Sequence, residues 1–285
     1  VLILYIGVTT FKSKVLKLAL QYHTTNDMEN SLKGKVALVT GGTKGIGKAI
    51  ADKLSSEGVD VVVTARSAPK ENMHGHHFIA ADLAHPESAE KIAKEILKEY
   101  GRVDIVVNNA GANLSPGGGF SVLSDEHWYN DWQLNFMAVV RINKALLPVM
   151  LEKKSGVIIN ISTGAARQPI WEMTMSYSSA KAALNAYSKA LANELGPKGI
   201  RVNLVSPGVV KTPLMLEFIE NIAATSNISV DEAFKAVMDK VGVPLGRMAE
   251  PEEIADIVTF LASPQAKYIT GINYSVDGGA IPTVS

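Results

Sequence analysis

Val36-Ala-Leu-Val-Thr-Gly-Gly-Thr-Lys-Gly-Ile-Gly47 is an apolar run that gives way to glycines and then to a stretch of helical periodicity. The unbroken apolar run Val36 to Val39 suits a strand covered on both faces. Ile46 to Glu57 then carries apolar residues at helical spacing, and Gly58 stands just past it as a stop. Strand, glycine turn and helix in this order make a phosphate cradle. The glycines let the backbone turn sharply and come close to a pyrophosphate. The helix N-terminus offers free N–H groups and the positive end of its dipole. The spacing is G-x-x-x-G-x-G rather than G-x-G-x-x-G, and the candidate contacts are Gly41, Thr43, Lys44, Gly45, Ile46 and Gly47.

Working outward, strand-like and helix-like stretches alternate. Strands are expected at Val59–Val63, His77–Ala81, Val103–Val107, Val157–Ile161, Ile200–Val205 and Ile272–Val276. Helices are expected at Pro86–Tyr100, Trp128–Lys153 (with a bend at Pro148), Ser178–Leu195 and Pro251–Ala262. That alternation predicts an α/β fold: one doubly wound Rossmann-type domain over residues 31–285, with a seven-stranded parallel sheet and helices on both faces. Residues 213–243 interrupt the alternation with apolar side chains and read as a helical cap over the substrate. Residues 1–30 read as an extension outside the catalytic domain, with a membrane-surface helix as the other reading.

Composition narrows the class. Of 285 residues, 47% are apolar, which is ample for a core. The 28 basic and 28 acidic residues cancel, against the basic excess of a nucleic-acid binder. With no cysteine, thiolate chemistry, disulfides and cysteine metal sites are excluded. No uninterrupted apolar run approaches the roughly 18–20 residues of a membrane span. Neither nucleic acid nor membrane is expected as a partner. His74, His76 and His77 cluster without a carboxylate at matching spacing, so no metal is expected.

The end of the second strand decides between cofactors. A carboxylate about 20 residues past the glycines would accept from the ribose 2′-hydroxyl of NAD. The sequence there is Val63-Thr-Ala-Arg-Ser67, and Arg66 offers a planar fork for a 2′-phosphate, with Lys44 as a second cation. NADP(H) is therefore expected over NAD(H). Further on, Tyr177-Ser-Ser-Ala-Lys181 puts a phenol and an ammonium on one helix face. A free tyrosine titrates near pH ~10, and a neighbouring cation would lower that. Such a phenol could pass a proton to or from a substrate oxygen.

Thr40–Gly47, Asn108-Asn-Ala-Gly111, Asn135, Ser162-Thr163, Tyr177–Lys181 and Pro207-Gly208 occur in one order. In this set, from Leu32 to the C-terminus, the chain resembles the short-chain dehydrogenase/reductase family in its compact form. The resemblance implies Tyr177 as general acid/base and Lys181 as the residue that lowers its pKa and holds the nicotinamide ribose. It implies Asn135 as the anchor of a proton-relay water. Asp82 and Leu83 would meet the adenine, and Asn109, Ala110 and Gly111 would shape the adjoining strand edge. Pro207, Gly208, Val210 and Thr212 would line the nicotinamide side. The family's substrate-orienting serine lies about 13 residues before the tyrosine, where this chain has Gly164. Thr163 and Ser162 are the two candidates for that hydroxyl, and Thr163 is preferred. Trp171 lies in the loop before Tyr177 and reads equally as packing or as pocket wall.

The resemblance thus implies a cytoplasmic NADP(H)-dependent enzyme interconverting a ketone and a secondary alcohol. It implies a homo-oligomer, tetramer or dimer, built through the helices 128–153 and 178–195. Pro244–Glu253 is similar to 3-oxoacyl carrier-protein reductases, which makes that activity the alternative. A cofactor-binding sensor or scaffold without chemistry is a more remote one.

Overall fold

Alternating side chains along the first strand build two cores at once. On β1 (Val36–Thr40), Ala37 and Val39 face one side of the sheet, and Val36 and Leu38 face the other. The first side is covered by α1 (Gly45–Ser56) through Ile50 and Leu54. The second is covered by α2 (Glu87–Tyr100) through Ile92 and Ile96. Each of these fully buried side chains stabilises the fold by about 1.5–3 kcal/mol. This is why a continuous apolar run, and not an alternating one, encodes the strand.

The computed structural model of the protein describes residues 31–69 and 75–282. The expected extension 1–30 and His74 lie outside the described residues. β1 is joined by β2 (Asp60–Ala65), β3 (His77–Ala80), β4 (Ile105–Asn108), β5 (Gly156–Ile161), β6 (Ile200–Pro207) and β7 (Asn273–Val276). The sheet has seven strands in the order β3-β2-β1-β4-β5-β6-β7, all parallel. The expected α/β doubly wound architecture is present. The order reverses between β1 and β4, so the loops leaving their carboxyl ends part there and open a crevice.

Several helix limits differ from the sequence reading. The helix expected from Trp128 begins at Asp125, because Ser124 and His127 form a reciprocal cap. It runs as α3 (Asp125–Trp132), a π-helical turn at Gln133–Met137, and α4 (Ala138–Lys153), which continues through Pro148. The stretch 125–153 has the length and, at a mean hydropathy of 1.4, the composition of a membrane span. Here Ile142, Leu146 and Met150 on it pack against the sheet.

The helix expected from Ser178 begins seven residues earlier, as α5 (Trp171–Leu195). Thr174 is non-helical (φ −132°, ψ 16°), and its hydroxyl bonds the Ile170 carbonyl at 3.1 Å. That local bond ties off a short first turn which carries no apolar periodicity. The interruption at 213–243 is two helices, α6 (Pro213–Ser226) and α7 (Val230–Val241), joined through left-handed Asn227. α8 (Pro251–Ala262) returns to cover the face that α1 covers.

Candidate active site

The glycine cradle is built as the sequence requires. Gly41 and Gly45 have positive φ (64° and 54°), and a Cβ on Gly47 would lie 2.2 Å from the Gly41 carbonyl oxygen. Only glycine lets the first turn of α1 fold back this tightly. Asn109 clamps the loop from β4: its side-chain amide donates to the carbonyls of Thr40 (3.0 Å) and Gly41 (3.2 Å). The Thr40 hydroxyl accepts from the N–H groups of Asn109 and Ala110, both at 3.0 Å. Thr212 reaches the cradle from the far side, and a Cβ on Gly45 would meet its methyl at 3.2 Å. The Thr212 hydroxyl caps α6 by accepting from the Met215 N–H at 3.2 Å. Lys44 at the cradle and Arg66 after β2 are both exposed, and among the described residues neither has an ion-pair partner. Leu83 is buried after β3, and the Asp82 carboxylate accepts from the Ala84 N–H at 3.0 Å.

Asn108 departs from this group. Its side chain points into the core and donates to Asn160 (2.8 Å) and Asn143 (3.0 Å). That buried chain runs on through Asn160 to Ser188, and so Asn108 braces β4 against β5 and α4 instead of facing the crevice.

The reacting residues gather beside Gly111. A Cβ there would lie 2.8 Å from the Asn135 Oδ1 and 3.0 Å from the Lys181 Nζ. Asn135 sits in the π turn, fully buried, where its amide donates to the Ala112 carbonyl (2.8 Å) and its Oδ1 accepts from the Ala112 N–H (3.1 Å). A π turn widens the helix and aims one residue inward. Lys181 is buried on α5 and donates to the Ile161 carbonyl at 2.9 Å. Burial alone pulls its ammonium down to about 8.

Tyr177 lies one turn earlier on α5, with its phenol beside the Thr163 hydroxyl. Burial pushes the phenol up to about 12, opposed by that hydroxyl and helped by the charge of Asp131. The sequence reading had Lys181 lowering this phenol. In the structure the ammonium donates to the Ile161 carbonyl, and burial is the largest influence on both groups.

Of the two candidate hydroxyls, Thr163 stands at the phenol. Ser162 is buried and turned away, donating to the Asn185 side chain at 2.6 Å. We expect Thr163→Ala to lower kcat about 10- to 100-fold with cofactor Kd unchanged, as for loss of one hydrogen bond felt mainly in the transition state. Ser162→Ala is expected to lower the urea midpoint and leave kcat within a few-fold. Equal kcat losses in the two variants would refute this division.

A cavity of about 140 Å³ opens next to Thr163, bounded by Ile170, Pro207, Gly208, Lys240 of α7 and Ile281. Gly208 lets β6 pass close to Asp277, whose Cα would lie 2.8 Å from a Cβ there. Val210 pairs with Ala249 in an isolated parallel bridge behind this wall. Trp171 is 60% exposed and leans on the loop at Gly119. His76 bonds Asp52 at 2.9 Å and the His77 ring lies tilted against that of Tyr100, so these two imidazoles serve separate partners. Sequence reasoning missed Asp131, Ser115 and Ser176, which share a buried hydrogen-bond cluster. The one available signal was the position of Asp131 a helical turn before Asn135.

A dinucleotide crevice at the strand-order reversal, with a tyrosine and a lysine beside it, defines a nicotinamide-type oxidoreductase fold. The comparisons agree. A family model described as enoyl-(acyl carrier protein) reductase matches residues 41–280. The 3-oxoacyl-acyl-carrier-protein reductase of Vibrio cholerae is 36% identical over 260 residues, covering 87% of this chain and 98% of its own. The 2,3-dihydro-2,3-dihydroxybenzoate dehydrogenase of Bacillus subtilis is 35% identical, with 87% and 97% covered. The L-sorbose reductase of Gluconobacter frateurii, solved with NADPH and L-sorbose, superposes with a TM-score of 0.83 at 34% identity, covering 90% of this chain and 100% of that one. The chain belongs to the short-chain dehydrogenase/reductase family. It is an oxidoreductase of carbonyl and alcohol groups.

Proposed function

We propose that the protein uses NADP(H) in preference to NAD(H) to reduce a ketone to a secondary alcohol. The observation that carries this is the Thr163–Tyr177 pair standing beside buried Lys181 and Asn135, at the mouth of a glycine cradle. The cradle fits the cofactor because its glycine turns leave no room for a Cβ, and Lys44 within it and Arg66 after β2 have no ion-pair partner among the described residues. When bound, the cofactor supplies or accepts a hydride. Thr163 holds the carbonyl oxygen, and Tyr177 hands it a proton. Lys181 and Asn135 border the path by which that proton is replaced. Gly41, Thr43, Lys44, Gly45, Ile46, Gly47 and Arg66 hold the phosphates. Asp82 and Leu83 take the adenine side, with Asn109 to Gly111 beneath, and Pro207, Gly208, Val210 and Thr212 take the nicotinamide side.

Lys240 in the wall of the cavity beside Thr163 supports α7 as part of the cap. The second reading, a 3-oxoacyl carrier-protein reductase, is favoured by the Vibrio cholerae relative. NADPH oxidation with L-sorbose-like ketones and with a 3-oxoacyl thioester, run in parallel, separates the two readings. We extend the proposal to a homo-oligomer, supported by the exposed Trp128 and Trp132 on α3.

The cofactor preference has its own test. Arg66→Asp should weaken NADPH binding roughly 10- to 100-fold, the worth of one charge-assisted contact. NADH binding should hold or improve. A fluorescence titration that shows unchanged preference removes Arg66 from the site.

A further inference from the structure

Asp131 is fully buried on α3, and its contacts run to three separate elements. One carboxylate oxygen accepts from the Leu114 N–H at 2.9 Å. The other accepts from the Ser115 hydroxyl at 2.6 Å and from the Ser176 hydroxyl. Ser176 directly precedes Tyr177 on α5, and its oxygen lies 2.8 Å from that of Ser115. The Asp131 main-chain carbonyl accepts from the Asn135 side chain at 3.0 Å. One residue therefore joins the loop after β4, the π turn and the start of the catalytic helix.

We propose that Asp131 is a positioning residue that fixes Asn135 and Tyr177 relative to each other and whose buried charge favours the protonated, proton-donating form of the phenol. The proposal rests on Tyr177 being the proton donor of the reading above. Two features carry it. The contacts of Asp131 are with hydroxyl and amide groups, and among the described residues none is with a cation. An anion held in a poorly solvated interior then disfavours a second anion on the neighbouring phenol. The other charged groups near this point are engaged elsewhere. Lys181 donates to the Ile161 carbonyl, Glu172 pairs with Lys240 of α7 at 3.0 Å, and His127 is turned to Ser124. The rise of the phenol includes a contribution from Asp131. A donor kept protonated through the neutral range suits reduction, in which the tyrosine must give a proton away.

The test is an ultraviolet titration of phenol ionisation in the full-length protein, with Tyr177→Phe subtracted to isolate one tyrosine among 8. It is repeated in Asp131→Asn, with Asp131→Asn/Tyr177→Phe subtracted. An asparagine still accepts from Leu114, and the serine hydroxyls can turn to accept from its amide. The Tyr177 step is expected to fall by roughly one pH unit in Asp131→Asn. Ser115→Ala keeps the charge and loses a hydrogen bond, so its Tm should fall with the step unmoved. An unmoved step in Asp131→Asn overturns the proposal, as does an equal shift in Ser115→Ala. If Asp131→Asn does not fold, Asp131→Ser is titrated in its place against the same expectation. Because the readout needs no substrate, a protein inactive on every ketone would defeat the functional reading while the titration still decides this one.

Discussion

Tyr177→Phe is expected to lower kcat for ketone reduction about 10²- to 10⁴-fold while NADPH affinity stays within a few-fold. The substitution removes one oxygen and leaves the ring, so the packing on α5 and the glycine cradle are untouched. What disappears is the only group at the reacting centre that combines a transferable proton with contact to Thr163. With the phenol pushed up to about 12, the native protein holds that proton throughout the neutral range. The fold-loss should therefore be nearly the same at every pH from about 6 to 8, since neither state of the native donor changes there. The stability consequence has a definite sign. The folded phenol titrates above its unfolded value of 10.0. Its contribution is thus present below about 10 and is lost as pH rises toward about 12. Tyr177→Phe should stay within about 1 kcal/mol of the native chain near neutrality. Above pH ~10 it should gain on the native chain, which alone must bury a phenolate. Steady-state rates at three pH values, with a parallel NADPH titration, check the claim. A kcat loss under about 10-fold would mean that another group supplies the proton.

How far the sequence could anticipate this site depends on the range of each interaction. The cradle is local: strand, glycines and helix are contiguous in Val36–Glu57, and every strand came out in its expected place to within a few residues. Tyr177 and Lys181 are one helical turn apart, so their shared face was legible from spacing. The choice between Ser162 and Thr163 was not fully legible, because it is made by Asn185, further along α5 and 23 residues from Ser162, which takes up the Ser162 hydroxyl. The start of α5 was hidden because Thr174 breaks the helix geometry just where the apolar period would have begun. The Asp131 cluster was barely marked, its one signal being the place of Asp131 a helical turn before Asn135. Its partners come from three elements, and no local pattern marks a carboxylate whose neighbours are two serines and a backbone N–H. The partner of the Lys181 ammonium was equally out of reach, because the Ile161 carbonyl lies 20 residues earlier in the chain, on β5.

That orientation leads to a second large effect, in which activity and stability move in opposite directions. Lys181→Met should abolish measurable turnover and yet make the protein more stable at neutral pH. Lys181 is 2% exposed, and burial pulls it from 10.5 to about 8. At roughly 1.4 kcal/mol per pKa unit, holding its charge inside the protein costs about 3 kcal/mol. Methionine fills nearly the same volume without charge. It leaves the Ile161 carbonyl without its donor, which costs back about 1–2 kcal/mol, so the net gain is roughly 1–2 kcal/mol. The pH dependence identifies the cause. Below about 8 both folded and unfolded chains carry the proton, and the native protein bears the full cost. Between about 8 and 10.5 the folded chain has released the proton while the unfolded chain keeps it, so native stability rises with pH. The advantage of Lys181→Met should therefore be largest at pH 6–7, at about 2–5 °C in Tm, and should shrink toward pH ~10. Thermal unfolding of both proteins across that range decides it. A Met variant less stable than the native chain at pH 7 would show that the lysine earns its place structurally. The expected result says instead that the fold tolerates a destabilising cation because the chemistry beside Gly111 requires one.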